Sequence, residues 1–196
     1  MKNNYSKIID ILIQRQYLQP EDKELYTYGL RITVQSLFNI VFVVVSGMVL
    51  GMFKESLLMF TTFFVLRKFL GGYHLDKFVY CFASSAAIHC LGLMLIKKQW
   101  LMSDSVFLVL IWFCVVMVAM VSPVAHPNKE ITEKERRVYK VFSIVLSLLS
   151  CIVSTLVILF CEASWCGYSI GSSIIISCIL MCVGKIAYIK HKKLKE

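Results

Sequence analysis

The sequence predicts an all-α, polytopic membrane protein with about six transmembrane helices, an amphipathic helix ahead of them, and both termini in the cytoplasm. Three observations predict it. Of 196 residues, 58% are hydrophobic and only 17% charged, with a mean hydropathy of +0.73; soluble domains run nearer 45–50% apolar and about 25% charged. The apolar residues gather into six runs. The basic residues gather in alternate connections between those runs, as a membrane topology requires.

Taken in order, residues 5–16 put Tyr5, Ile8, Ile9 and Leu12 on one helical face and Lys7, Asp10 and Gln14 elsewhere. That is an amphipathic helix, either lying on the membrane surface or packed on the rest of the chain. No cleavable signal peptide is expected, because the first thirty residues are polar and mixed in charge. Pro20 followed by Glu21 and Asp22 is a helix start: proline suits the first turn and acids suit the dipole. The six apolar runs follow at 32–53, 56–70, 78–96, 105–121, 141–160 and 168–189. Most match the ~30 Å hydrocarbon thickness. The run at 56–70 is the exception, since only 56–66 is free of charge and Arg67 and Lys68 must reach an interface. A tilted or half-inserted helix is the alternative there.

With the N-terminus inside, eighteen of the 21 Lys and Arg fall in inner segments and three, Lys54, Lys97 and Lys98, in outer ones. This asymmetry orients the chain and needs the second run to cross. The expected organisation is one integral-membrane domain, 1–196: an interfacial region 1–31, membrane helices 32–189 and a basic tail 190–196. The net charge of +9 then serves orientation and the lipid bilayer rather than nucleic acid, for which no basic, aromatic-studded soluble module exists. The connection 122–140, with two prolines and the EKERR run, reads as a solvated connector with a short inner helix, or as a substrate-docking surface.

The eight cysteines show no CxxC and no metal-ligand spacing, so no metal and no cofactor are expected. Cys90, Cys114, Cys151, Cys178 and Cys182 lie inside apolar runs and act as small hydrophobes. Cys161 and Cys166 flank an outer loop, as free thiols or as a disulfide. Chemistry concentrates instead in RKFLGGYHLDKFVYC, which carries Arg67, Lys68, Gly71, Gly72, His74, Lys77 and Cys81. On one straight helix His74 and Cys81 stand about 10 Å apart along the axis, too far for base and thiol to share a proton at roughly 3 Å. The chain must therefore bend. Gly71-Gly72 supplies a turn, and Asp76 is a plausible N-cap for the next helix. The helix start and the cations Arg67, Lys68 and Lys77 would then favour a thiolate at Cys81, with His74 as its base. His89-Cys90 is a competing pair, but helix neighbours point about 100° apart. His126 is a loop residue or substrate contact, and His191 belongs to the tail.

The arrangement of Arg67, Gly71-Gly72, His74 and Cys81 resembles the signature of the AgrB family, the accessory gene regulator B proteins. The resemblance extends to the length, the charge, the six-run layout and the inner loop with Pro123 and Asn128-Lys129, so it covers nearly the whole chain. It implies a membrane-embedded cysteine endopeptidase of the bacterial cell membrane. Such an enzyme cleaves the C-terminal part of a small quorum-sensing propeptide of AgrD type and promotes thiolactone or lactone closure. It implies Cys81 as nucleophile and His74 as base, with Arg67 and Gly72 at positions needed for activity. Arg67 would hold an acidic part of the propeptide or activate the thiol. A homodimer is the default expectation for a small membrane enzyme. The alternative function is a small peptide exporter without proteolytic activity, against which no run carries a central acid.

Overall fold

The computed structural model describes residues 2–71, 78–97, 103–124 and 132–193, which are helical apart from turns and one isolated backbone bridge. The chain is an all-α, multi-pass membrane protein. It divides into two compact units, Met1–Phe42 and Val43–Glu196.

In the first unit, Lys2–Gln14 forms α1 and a 3-10 turn at Pro20–Asp22 leads directly into α2, Lys23–Val49. The turn begins where Pro20 predicts a helix start, with Glu21, Asp22 and Glu24 against the positive end of the dipole. On α1, Ile9 is buried, whereas Ile8, expected on the same face, stays about half exposed, as does Ile11. Lys23 Nζ meets Asp10 Oδ1 at 2.6 Å and ties α1 to the first turn of α2. Exposed pairs of this kind contribute at most about 1 kcal/mol.

The second unit holds the last turns of α2 and the helices α3 (Phe53–Leu70), α4 (Phe78–Lys97), α5 (Asp104–Val121), α6 (Glu133–Phe160) and α7 (Ser164–Lys193). All six apolar runs are therefore helices. Five helical segments are long and apolar enough to cross a membrane: Pro20–Val49, Val79–Lys97, Asp104–Val121, Glu133–Phe160 and Ser164–Ala187. The second run, α3, falls outside that set. Its 18 residues span about 27 Å, and it carries Lys54, Glu55, Arg67 and Lys68 at its two ends. It is nonetheless an internal helix, with Ser56, Met59, Leu66 and Leu70 buried along one face.

Two helices begin well before their apolar runs. α2 starts at Lys23 rather than at 32, and the EKERR segment is the first part of α6 rather than a separate helix. Thr132 caps α6 in a reciprocal box with Glu135: each side chain serves the other's backbone N–H. Capping satisfies the orphan donors of a helix start that projects beyond the apolar region.

α7 is the hub, packing against α3, α4, α5 and α6. Lipid gives helices no hydrophobic reason to associate, so contact depends on close approach through small residues and on hydrogen bonds between helices. α7 supplies both. A methyl on Gly167 would lie 2.6 Å from Ile158 and 2.9 Å from the Ser154 carbonyl; one on Gly171 would lie 2.6 Å from the Phe107 ring. Ser154 Oγ donates to the Gly167 carbonyl at 2.7 Å, and Ser173 Oγ donates to the Met59 carbonyl of α3 at 2.8 Å. At the same end, the Tyr168 hydroxyl donates to Asp104 at the start of α5.

Gly167→Ala should therefore destabilise the bundle by about 1–3 kcal/mol, the usual cost of overpacking. Gly29→Ala, a helical site with nothing within 4 Å of the added carbon, should be neutral or slightly stabilising. Thermal unfolding of the two variants in detergent distinguishes them; equal melting temperatures would contradict this packing.

Candidate active site

The candidate site lies where the C-terminus of α3 meets the N-terminus of α4. Arg67 is in the last turn of α3, half-buried and within electrostatic range of Cys81. Cys81 is in the first turns of α4 and only 8% exposed. Helix starts favour negative charge, so the thiol sits between a helix dipole and a cation. Two of the residues singled out from the sequence are thus brought together across α3 and α4. Lys68, on the same turn as Arg67, is exposed and lies 5.8 Å from the centroid of the Phe69 ring.

Gly71 ends α3 with φ +73° and ψ −160°, while its N–H donates to the Arg67 carbonyl at 3.3 Å. Only glycine takes that backbone conformation without strain. The chain bends there, as the spacing of His74 and Cys81 requires. Gly72, His74, Asp76 and Lys77 lie outside the described residues, as does His126.

Two features of the surroundings have no periodic signature in the sequence. The first is a backbone contact between connections distant in sequence: Val124 N–H donates to the Leu70 carbonyl at 3.0 Å, and Gly71 and Val124 form an isolated parallel bridge. Ser122 and Val124 are buried, so the start of the connection 122–140 is packed protein and not the solvated linker expected of it. The signal in the sequence is the apolar pair Val124-Ala125 following Pro123. The second is an aromatic cluster, in which Phe69 stacks on Phe142 at 5.2 Å between centroids and meets Tyr139 edge-on at 6.2 Å. It binds the end of α3 to the first half of α6.

The competing pair separates. His89 is buried in α4 with Nε2 2.9 Å from Ser56 Oγ, while Ser56 Oγ donates to the Val43 carbonyl at 2.8 Å. His89 thus joins α4 to α3 and, through Ser56, to α2. Cys90 is half-buried. Cys161 is exposed and unbridged, as is half-buried Cys166. Among the described residues, no group of three His, Cys, Asp or Glu side chains is arranged to hold a metal ion. An open cleft of about 440 Å³ lined by Ile13, Gln16, Leu18, Gln19 and Pro20 lies in the first unit and contains none of the residues of the candidate site.

Replacing Arg67 removes a cation within electrostatic range of Cys81. Arg67→Gln should slow alkylation of Cys81 by iodoacetamide at neutral pH, since a cation within range favours the nucleophilic thiolate. Lys68→Gln, at an exposed neighbour, should leave the rate unchanged. Mass-mapped alkylation checks both, and equal rates in the two variants would remove Arg67 from the site.

Comparison with known proteins identifies the family of the chain. Residues 5–184 match the family described as Accessory gene regulator B. Similar chains include AgrB-like protein 2 of Clostridium perfringens (strain 13 / Type A), 27% identical over 174 residues, covering 84% of this chain and 81% of that protein. An AgrB-like protein of Clostridium perfringens (strain SM101 / Type A) is 27% identical over 190 residues, covering 92% of this chain and 87% of the relative. AgrB-like protein 1 of strain 13 is 25% identical over 182 residues, with coverages of 92% and 95%. No solved structure matches. The chain belongs to the accessory gene regulator B family.

Proposed function

We propose that this protein is a membrane-embedded cysteine endopeptidase that cleaves an AgrD-type propeptide and passes its acyl group to a nucleophile within the same peptide. The observation that carries this reading is the match of residues 5–184 to this family, in a fold that places Arg67 at the end of α3 and Cys81 in the first turns of α4.

The chemistry follows from the residues. His74 takes the proton of the Cys81 thiol, and Sγ attacks the scissile carbonyl. A carbon–sulfur bond forms, the carbon–nitrogen bond breaks, and His74 returns its proton to the departing amine. The C-terminal fragment leaves and the remainder of the propeptide is held on Cys81 as a thioester. A cysteine inside the held peptide then attacks that thioester, and Cys81 departs as the thiolate, so one thioester replaces another. A serine in the same place would give a lactone. Arg67 stabilises the thiolate before attack and after release. Proximity makes the tethered thiol outcompete water, and burial of Cys81 keeps water scarce.

We assign the site to the cytoplasmic face, because eighteen of 21 basic residues then lie inside. The exposed Cys161 at the end of α6 falls outside in that arrangement. Membrane-impermeant maleimide should label Cys161 on intact cells; protection of Cys161 until the cells are lysed would reverse the orientation.

The decisive experiment is co-expression with the candidate propeptide, followed by mass spectrometry of the products. The wild-type protein should release the C-terminal fragment, and Cys81→Ser and His74→Ala should release none. A covalent peptide adduct on Cys81 should accumulate when the internal cysteine of the propeptide is replaced by alanine. Release of the fragment by both protein variants would refute the peptidase and leave an exporter.

A further inference from the structure

The connection between α5 and α6 enters the candidate site at one place. Residues 122–124 leave α5 with Ser122 N–H donating to the Val118 carbonyl at 3.0 Å, then run against the end of α3. Two fastenings hold them. Ser143 Oγ of α6 donates to the Lys140 carbonyl at 3.0 Å, which leaves its lone pairs to accept from Ser122 Oγ at 2.7 Å. Val124 N–H donates to the Leu70 carbonyl at 3.0 Å. The surroundings are dry: Leu66, Leu70, Val118 and Val124 are each at most 3% exposed. A backbone hydrogen bond in such a place is costly to lose, because no water replaces it.

Gly71 is what lets the segment come so near. A Cβ there would stand 2.2 Å from the Val124 carbonyl oxygen and 3.1 Å from its carbon. Both are backbone atoms, so no side-chain rotation relieves the clash. The positive φ at Gly71 adds a second, independent reason for glycine. Its N–H bonds to the carbonyl of Arg67, the cation beside Cys81. The segment 122–124, Gly71 and the Arg67 backbone therefore form one continuous chain of contacts, and Cys81 lies within electrostatic range of Arg67.

We infer that residues 122–124 are a positioning strap of the active site, with Gly71 as the residue that receives it. The strap fixes the end of α3, and so sets the approach of Arg67 to Cys81. Its role is geometric and touches no substrate. This rests on the peptidase reading for its consequence in turnover, but the geometry of Arg67 and Cys81 is measurable without a substrate.

The test uses the full-length protein in detergent or membranes. Gly71→Ala should lower kcat for fragment release on the order of 10- to 100-fold, the usual cost of a misplaced catalytic group, with KM little changed. In the same variant, the pH profile of Cys81 alkylation should move away from that of the wild type. Where Gly71→Ala does not accumulate, the double variant Ser122→Ala/Ser143→Ala, which unfastens the strap without adding volume, carries the same measurements. Ser154→Ala, which removes a bond between α6 and α7 far from the strap, should keep the wild-type alkylation profile. Wild-type kcat and alkylation profile in the strap variants would overturn the inference, as would a loss of turnover matched only by a loss of folded protein. If Cys81→Ser still cleaves, the peptidase reading fails, while the alkylation profiles still decide whether the strap positions Arg67 against Cys81.

Discussion

Close approach of helices to α7 is the constraint on which the second unit depends. Lipid removes the ordinary reward for burying apolar side chains, since leucine is as comfortable in hydrocarbon as in a core. Contact area and hydrogen bonds must do the work instead. Gly167 and Gly171 let α6 and α5 come within a methyl's width of α7, and serine hydroxyls bond across the seams to the carbonyls of Gly167 and Met59. Bonds of this type average about 0.6 kcal/mol in membranes, so geometry contributes more than energy here. They fix the rotation and depth of each helix against the hub.

At the helix starts of α5 and α7, Tyr168 meets Asp104. The opposite ends need separate fastening, and they receive it from different contacts. The Phe69, Tyr139 and Phe142 rings join α3 to α6, the two serines join the end of α5 to α6, and the Leu70 carbonyl joins α3 to the segment beyond α5. Arg67 lies one turn before these contacts on α3, and Cys81 lies in the first turns of α4. A catalytic pair split between two helices needs those helices held to within a fraction of an ångström. The fastenings gather where such a pair would require them.

How much of this was legible in the sequence follows from what periodicity encodes. Apolar runs located all six hydrophobic helices, because hydropathy reports residence in lipid. They misplaced the beginnings of α2 and α6, because a helix that projects into water is sustained by caps such as Thr132 and Glu135, not by apolarity. One local motif singled out Arg67 and Cys81, which the fold places at the end of α3 and in the first turns of α4. The strap was not legible. An isolated bridge joining Gly71 to Val124 leaves no repeat in either segment, and Ser122 and Pro123 resemble a polar linker until their burial is known. His89 misled in the opposite sense: adjacent to Cys90 in sequence, it serves Ser56 on another helix.

The depth of Cys81 bears on how a protease can also close a ring. A thioester open to water is lost to hydrolysis, and a thioester sealed from everything cannot be attacked by its own peptide. A thiol 8% exposed at the end of a helix lies between those limits: solvent reaches it poorly, whereas a chain already bound to it carries its second nucleophile with it. The advantage of the tethered thiol is its high effective concentration, and that advantage holds only if the acyl group keeps a fixed orientation while the released fragment departs. Rigid helix ends around Arg67 and Cys81 supply such an orientation, and a flexible loop alone would not. On the peptidase reading, the dry contacts that hold α3, α5 and α6 together at this end are therefore part of what separates cyclisation from hydrolysis.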